Sequence, residues 1–134
     1  MLTPLASGAL LSTLPAAWAL PPKGLQFPRD AGAHPEFAIE WWYVTGYANV
    51  AGETAALGFQ VTFFRSRVAA TQGMQSGLAA KQLVFAHAAI TDVGRKKLWH
   101  DQRIARWSGQ PSGANPADLA SARTTDTDVV LRDW

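Results

Sequence analysis

The chain contains no cysteine. That excludes a disulfide framework, a thiolate nucleophile and a cysteine-ligated metal site, and it leaves stability to the packed core alone. Histidine is scarce as well. His34, His87 and His100 are scattered, without the His-x-His or His-Glu-x-x-His spacing of a zinc site, so no metal is expected. Charged residues make up only 16% of the chain, for a formal net charge of +2. The basic residues gather once, at Arg95-Lys96-Lys97 beside Gly94, where a solvated hairpin turn accounts for them better than a nucleic-acid surface does. Neither a P-loop nor a dinucleotide fingerprint occurs. Gly73-Met74-Gln75-Ser76-Gly77 places its serine wrongly for a nucleophile elbow, and in a loop, so a hydrolase nucleophile is not visible.

A long apolar run suited to crossing a bilayer is missing too. Leu5 to Leu14 is a short one, Pro15 breaks it, and Ala17-Trp18-Ala19 sets small residues at the two positions a signal peptidase reads. With Pro4 and Pro15 interrupting it, this stretch is a poor membrane span. Residues 1–19 are expected to be a secretory signal peptide cleaved after Ala19, which implies a secreted or periplasmic protein. No Lys or Arg precedes the apolar run, a departure expected if either the true start lies upstream or the gene model begins late. The competing reading is a buried N-terminal helix.

What is present is a core. At 134 residues and 48% hydrophobic content, the chain has room for one globular domain. Residues 20–36 read as a linker and a turn-rich lead-in, marked by Pro28, Asp30, Gly32 and Pro35. From residue 37 to 134 the pattern is strands and hairpins without an amphipathic helix. Phe37–Asn49 is the first strand, with Phe37, Ile39, Trp41 and Tyr43 on one face and Ala38, Glu40, Trp42 and Val44 on the other. A turn at Val50-Ala51-Gly52-Glu53 leads to a second strand, Ala55–Arg65, in which Gly58 suggests a bulge or bend. Residues 66–80 read as a loop with room for one helical turn. Gln82–Asp92, Leu98–Ala105 and Thr127–Trp134 are the remaining strands, the last two separated by a Gly/Pro/Asn/Ala loop over Ser108–Ala122. The expected fold is therefore all-β: an antiparallel barrel or meander, incomplete at about five strands, since a ligand-holding barrel needs about eight.

Glu40 is the first residue to single out for chemistry. An acid on a strand among Trp41, Trp42 and Tyr43 is costly to bury alone, so it is either a proton donor near neutral pH or half of an ion pair. Arg65, at the end of the neighbouring strand, is the evident partner, and the two roles are compatible. His87, with small neighbours in Phe85-Ala86-His87-Ala88-Ala89, is either a cavity-lining donor or base or a hydrogen-bonded core histidine. His100 and Asp101 point to opposite faces of a strand, which argues against a shared site. Trp41, Trp42, Tyr43, Phe59, Phe63, Phe64, Trp99 and Trp107 could wall a pocket for an extended apolar ligand, although most aromatics of a small barrel simply fill it.

The run from Phe27 to Gly46, Phe-Pro-Arg-Asp-Ala-Gly-Ala-His-Pro-Glu-Phe-Ala-Ile-Glu-Trp-Trp-Tyr-Val-Thr-Gly, resembles the opening of the secreted lipocalin-like proteins that include carotenoid 1,2-hydratase, AttH and the "predicted secreted hydrolases". Gly58-Phe59-Gln60-Val61-Thr62-Phe63-Phe64-Arg65, Phe85–Ala89, Leu98–Trp107 and Arg132-Asp133-Trp134 follow in the same order as in that family. The resemblance implies two lipocalin-like halves in one chain, so that residues 37–134 are a truncated N-terminal half whose partner is the missing C-terminal one. It also makes His34 a site candidate. The aromatic-rich antiparallel barrel pattern behind a signal peptide points to an exported domain holding an apolar or amphipathic small molecule such as a lipid or isoprenoid, with Trp41, Trp42, Tyr43, His34, Arg65 and His87 as the expected ligand-binding residues. The alternative is a hydratase adding water to a terminal carbon–carbon double bond without a cofactor, with Glu40 as the acid and aromatic faces steadying the cation. A third reading is a periplasmic accessory domain beside a membrane transporter, associated with the membrane surface.

Overall fold

A computed structural model describes residues 21–49, 51–52 and 56–134. The leader expected over residues 1–19 lies outside them, as do Val50 and Glu53 of the first turn. Six strands are present among the described residues: β1 (Ile39–Asn49), β2 (Ala56–Arg67), β3 (Gln82–Asp92), β4 (Lys97–Trp107), β5 (Ala120–Ala122) and β6 (Val129–Leu131). The first four form one antiparallel meander in the order β1-β2-β3-β4, and β5 pairs with β6 in a second small sheet. The architecture is all-β, an incomplete lipocalin-like meander in which the barrel is not closed. The remaining regular elements are short 3₁₀ turns at Arg29–Ala31 and Ala69–Thr71, the second lying in the loop where one helical turn was allowed.

The long strands follow from their β-branched and aromatic content. Their register runs without interruption from Ile39 opposite Ser66 to Asn49 opposite Ala56. No residue is inserted at Gly58, which pairs with Tyr47 on one side and Thr91 on the other, so the expected bulge is absent. Gly52 takes the positive φ, +82°, that the first hairpin needs.

Two sequence expectations are corrected near the end of the chain. Part of the loop assigned to Ser108–Ala122 is strand β5, whose short side chains let the backbone lie close against the main sheet. The long last strand expected over Thr127–Trp134 pairs only from Val129 to Leu131. Arg132 turns out of the strand at φ +56°, and the Trp134 carbonyl accepts from the Leu131 N–H.

The β5–β6 hairpin covers one end of one sheet face. Val84, Ala86, Ala105 and Trp107 of β3 and β4 pack there with Ala120, Ala122 and Leu131, and Trp42 and Phe63 extend the cluster. Residues 21–38 lie over the same end, where the Ala33 N–H donates to the Arg123 carbonyl at 2.8 Å. The chain passes so closely that a Cβ on Gly32 would stand 2.8 Å from the Thr124 carbonyl carbon, which only glycine tolerates. On the opposite face of the four-stranded sheet Ile39, Trp41, Tyr43, Tyr47, Leu98 and Ile104 stand exposed.

The β3–β4 turn carries a pH-dependent contribution to stability. The Arg95 backbone N–H, donating to Asp92 Oδ1 at 2.8 Å, holds the Asp92 carboxyl below the usual aspartate range; the Arg95 guanidinium adds to this, and burial opposes it. A carboxyl lowered on folding contributes stability that is fully present above its unfolded value, near ~4, and is lost as pH falls through the folded one. Asp92→Asn should therefore lower the urea midpoint at pH 7, and its gap to the parent should narrow as the pH falls from 7 to 3. A gap that stays constant between those pH values would remove Asp92 as a source of acid sensitivity.

Candidate functional site

The residues singled out from the sequence fall on two sides of one sheet. Glu40, Trp42 and Arg65 face the covered side, where His34 lies across from them, while Trp41, Tyr43 and His87 face the open side. The period of two along β1 imposes the split: Glu40 and Trp42 point one way, Trp41 and Tyr43 the other.

On the covered side the β1–β2 register sets Glu40 directly opposite Arg65. Arg65 has no solvent exposure, and its guanidinium fans out over four acceptors. Nε donates to Glu40 Oε1 at 2.7 Å and Nη1 to Gln82 Oε1 at 2.6 Å. Nη2 donates to the carbonyls of His34 and Phe37 at 2.8 and 3.0 Å. The His34 N–H donates in turn to both Glu40 oxygens, at 2.8 and 2.9 Å, and His34 Nδ1 lies 3.4 Å from Oε2. Gln82 Nε2 donates to the Pro35 carbonyl, and Trp42 Nε1 to that of Ala31. A buried cation is tolerable only when its donors are used this fully. The network ties residues 31–37 to the sheet. Glu40 and His34 also border a shallow notch of about 290 Å³, which they share with Trp41, Trp42 and Thr127.

On the open side Trp41, Tyr43 and Thr45 of β1, Gln60, Thr62 and Phe64 of β2 and His87 of β3 surround a recess of about 320 Å³. Cross-strand pairing assembles it: Trp41 opposes Phe64, Tyr43 opposes Thr62, and Thr62 opposes His87. Phe64 stacks on Phe85 with centroids 4.7 Å apart and touches the His87 ring at 5.6 Å. Gln60 Nε2 lies 2.8 Å from His87 Nε2. Trp41 and Tyr43 also border an apolar groove of about 470 Å³ around the free edge of β1, with Trp42, Val44, Val61, Phe63 and Val129.

Sequence reasoning grouped Trp41, Trp42 and Tyr43 as one wall; the groove at the β1 edge is where all three meet. It passed over Gln60 and Thr62 as site residues. The signal was available, because both share the open face with Phe64 by alternation. Among the described residues no group of three or more His, Asp or Glu is gathered as for a metal ion.

An antiparallel meander with an aromatic open face and a second small sheet against its other side defines a lipocalin-like domain. The AttH-like family model matches residues 18–134, and the chain belongs to the AttH-like family. It is similar to the crystal structure of a candidate AttH from Nitrosomonas europaea, with 46% sequence identity and a TM-score of 0.64 over 88% of this chain. The match covers 32% of that protein, so this chain spans about a third of its length. No curated protein matches this chain.

Proposed function

We propose that this AttH-like domain binds an apolar or amphipathic small molecule, of the lipid or isoprenoid kind, in the recess on its open sheet face. The observation that carries the reading is the uncovered ring of Trp41, Tyr43 and Phe64 around the hydrogen-bonded Gln60 and His87. An exposed aromatic concavity with a few convergent polar groups is the usual form of a small-molecule site. Export belongs to the same reading and rests on the leader-like pattern of residues 1–19.

The test uses the full-length protein mixed with membrane lipid and isoprenoid extracts, with bound species read by native mass spectrometry. Trp41→Ala, which removes a wall that is 56% exposed and carries little of the fold, should weaken retention about ten-fold or more while leaving the thermal midpoint within a few degrees. Retention unchanged in that variant would exclude the open recess.

One arrangement favours a second reading, a hydratase. Glu40 and His34 stand in the notch beside Trp41 and Trp42, an acid and an imidazole next to aromatic faces that could steady a cation. A bound isoprenoid that gains one water mass over time, and fails to do so with His34→Ala, would support it.

A further inference from the structure

The floor of the open recess has a defined hydrogen-bonding character. Gln60 Nε2 lies 2.8 Å from His87 Nε2 and 3.3 Å from Thr62 Oγ1. With Gln60 Nε2 as the donor, His87 Nε2 accepts and the other ring nitrogen, Nδ1, is left as a donor. Two groups of the pair then have no protein partner among the described residues: the His87 Nδ1–H donor and the Gln60 Oε1 acceptor. The register holds them together, since His87 opposes Thr62 and Gln60 lies one diagonal step away on the same face. Around this pair the walls are aromatic, and no Asp, Glu, Lys or Arg lines the recess.

A neutral donor beside a neutral acceptor selects among ligand head groups. A hydrocarbon offers neither function. An ionised carboxylate only accepts, and a phosphate would enter a recess without a cation. A hydroxyl both donates and accepts through one oxygen. From this geometry we propose that the recess takes an uncharged long-chain alcohol, prenyl or fatty, with its hydroxyl on the Gln60–His87 pair and its chain along Trp41, Tyr43 and Phe64. The inference rests on the recess being a ligand site and adds the chemical class of the ligand.

The test compares farnesol with its hydrocarbon counterpart farnesene on the full-length protein, following tryptophan fluorescence quenching and native mass spectrometry. The expected result is binding of both, with farnesol preferred about ten-fold, the worth of one or two well-made hydrogen bonds. Gln60→Leu, at an exposed position, and His87→Phe should each abolish that preference, bringing the two ligands to equal affinity. Equal affinity for the two ligands in the parent protein would overturn the alcohol assignment and leave the recess as an apolar site. A preference that survives both substitutions would overturn it as well, because the hydroxyl would then be read elsewhere. Failure of both ligands to bind would overturn the recess itself and the inference with it.

Discussion

Replacing Arg65 by methionine should destabilise the domain by about 3–5 kcal/mol, read as a fall in the urea midpoint of the full-length protein. Methionine nearly fills the space, so the loss comes from unpaired groups and not from a cavity. Without the guanidinium, Glu40 keeps only the backbone N–H and the ring of His34 beside its carboxyl group, and Gln82 and the carbonyls of His34 and Phe37 lose their donor. Each polar group left unpaired in a buried site costs about 1–3 kcal/mol. Lysine should not rescue, because a single ammonium cannot reach acceptors that a planar fork serves in several directions. Glu40→Gln should cost less, since glutamine keeps an oxygen for Arg65 Nε, and the double variant should lose less than the sum because the shared bond is counted twice. A fall of under about 1 kcal/mol for Arg65→Met would mean that the network is replaceable by apolar packing, as some buried ion pairs are.

The same network marks how far the sequence could be read. Glu40 and Arg65 could be paired from the hairpin alone, because a strand, a turn and a returning strand of apolar alternation leave little freedom in register. The rest of the network could not. Gln82 comes from the third strand, and the two carbonyls come from residues 34 and 37, in a stretch whose turn residues predict bends but not their direction. Strand β5 was illegible for a related reason. Ala120-Ser121-Ala122 has little intrinsic strand preference and pairs because the main sheet and β6 hold it, so tertiary packing overrides propensity. In the candidate site, alternation along β1 already separated Trp41 and Tyr43 from Glu40 and Trp42. What it lacked was the fact that one face is covered and the other open, and that depends on where residues 120–131 fold back.

The two tryptophans of β4 should respond to alanine to very different extents, although the sequence treats them alike. Trp107 is 2% exposed at the end of the strand, inside the cluster under the β5–β6 hairpin, with Nε1 donating to the Gln110 carbonyl at 2.8 Å. Trp99 is 42% exposed at the uncovered end of the same face, with Lys97 Nζ 4.8 Å above its ring. Trp107→Ala should cost about 3–5 kcal/mol, toward the upper part of that range. The cost of a cavity depends on whether neighbours can collapse into it, and the neighbours here include Ala33, Ala86, Ala105, Ala120 and Ala122, which have no rotamers to swing inward. Losing the ring would also free the hairpin, since β5 and β6 are only three residues each and pair chiefly with one another. Trp99→Ala should change stability by about 1 kcal/mol or less, the worth of a partly solvated ring and an exposed cation–π contact. Urea denaturation of both variants decides the matter. Similar losses would mean that the far end of the covered face is buried in the full-length protein by something outside residues 21–134, and the domain core would then have to be redrawn to include Val44, Phe59, Ile90 and Trp99.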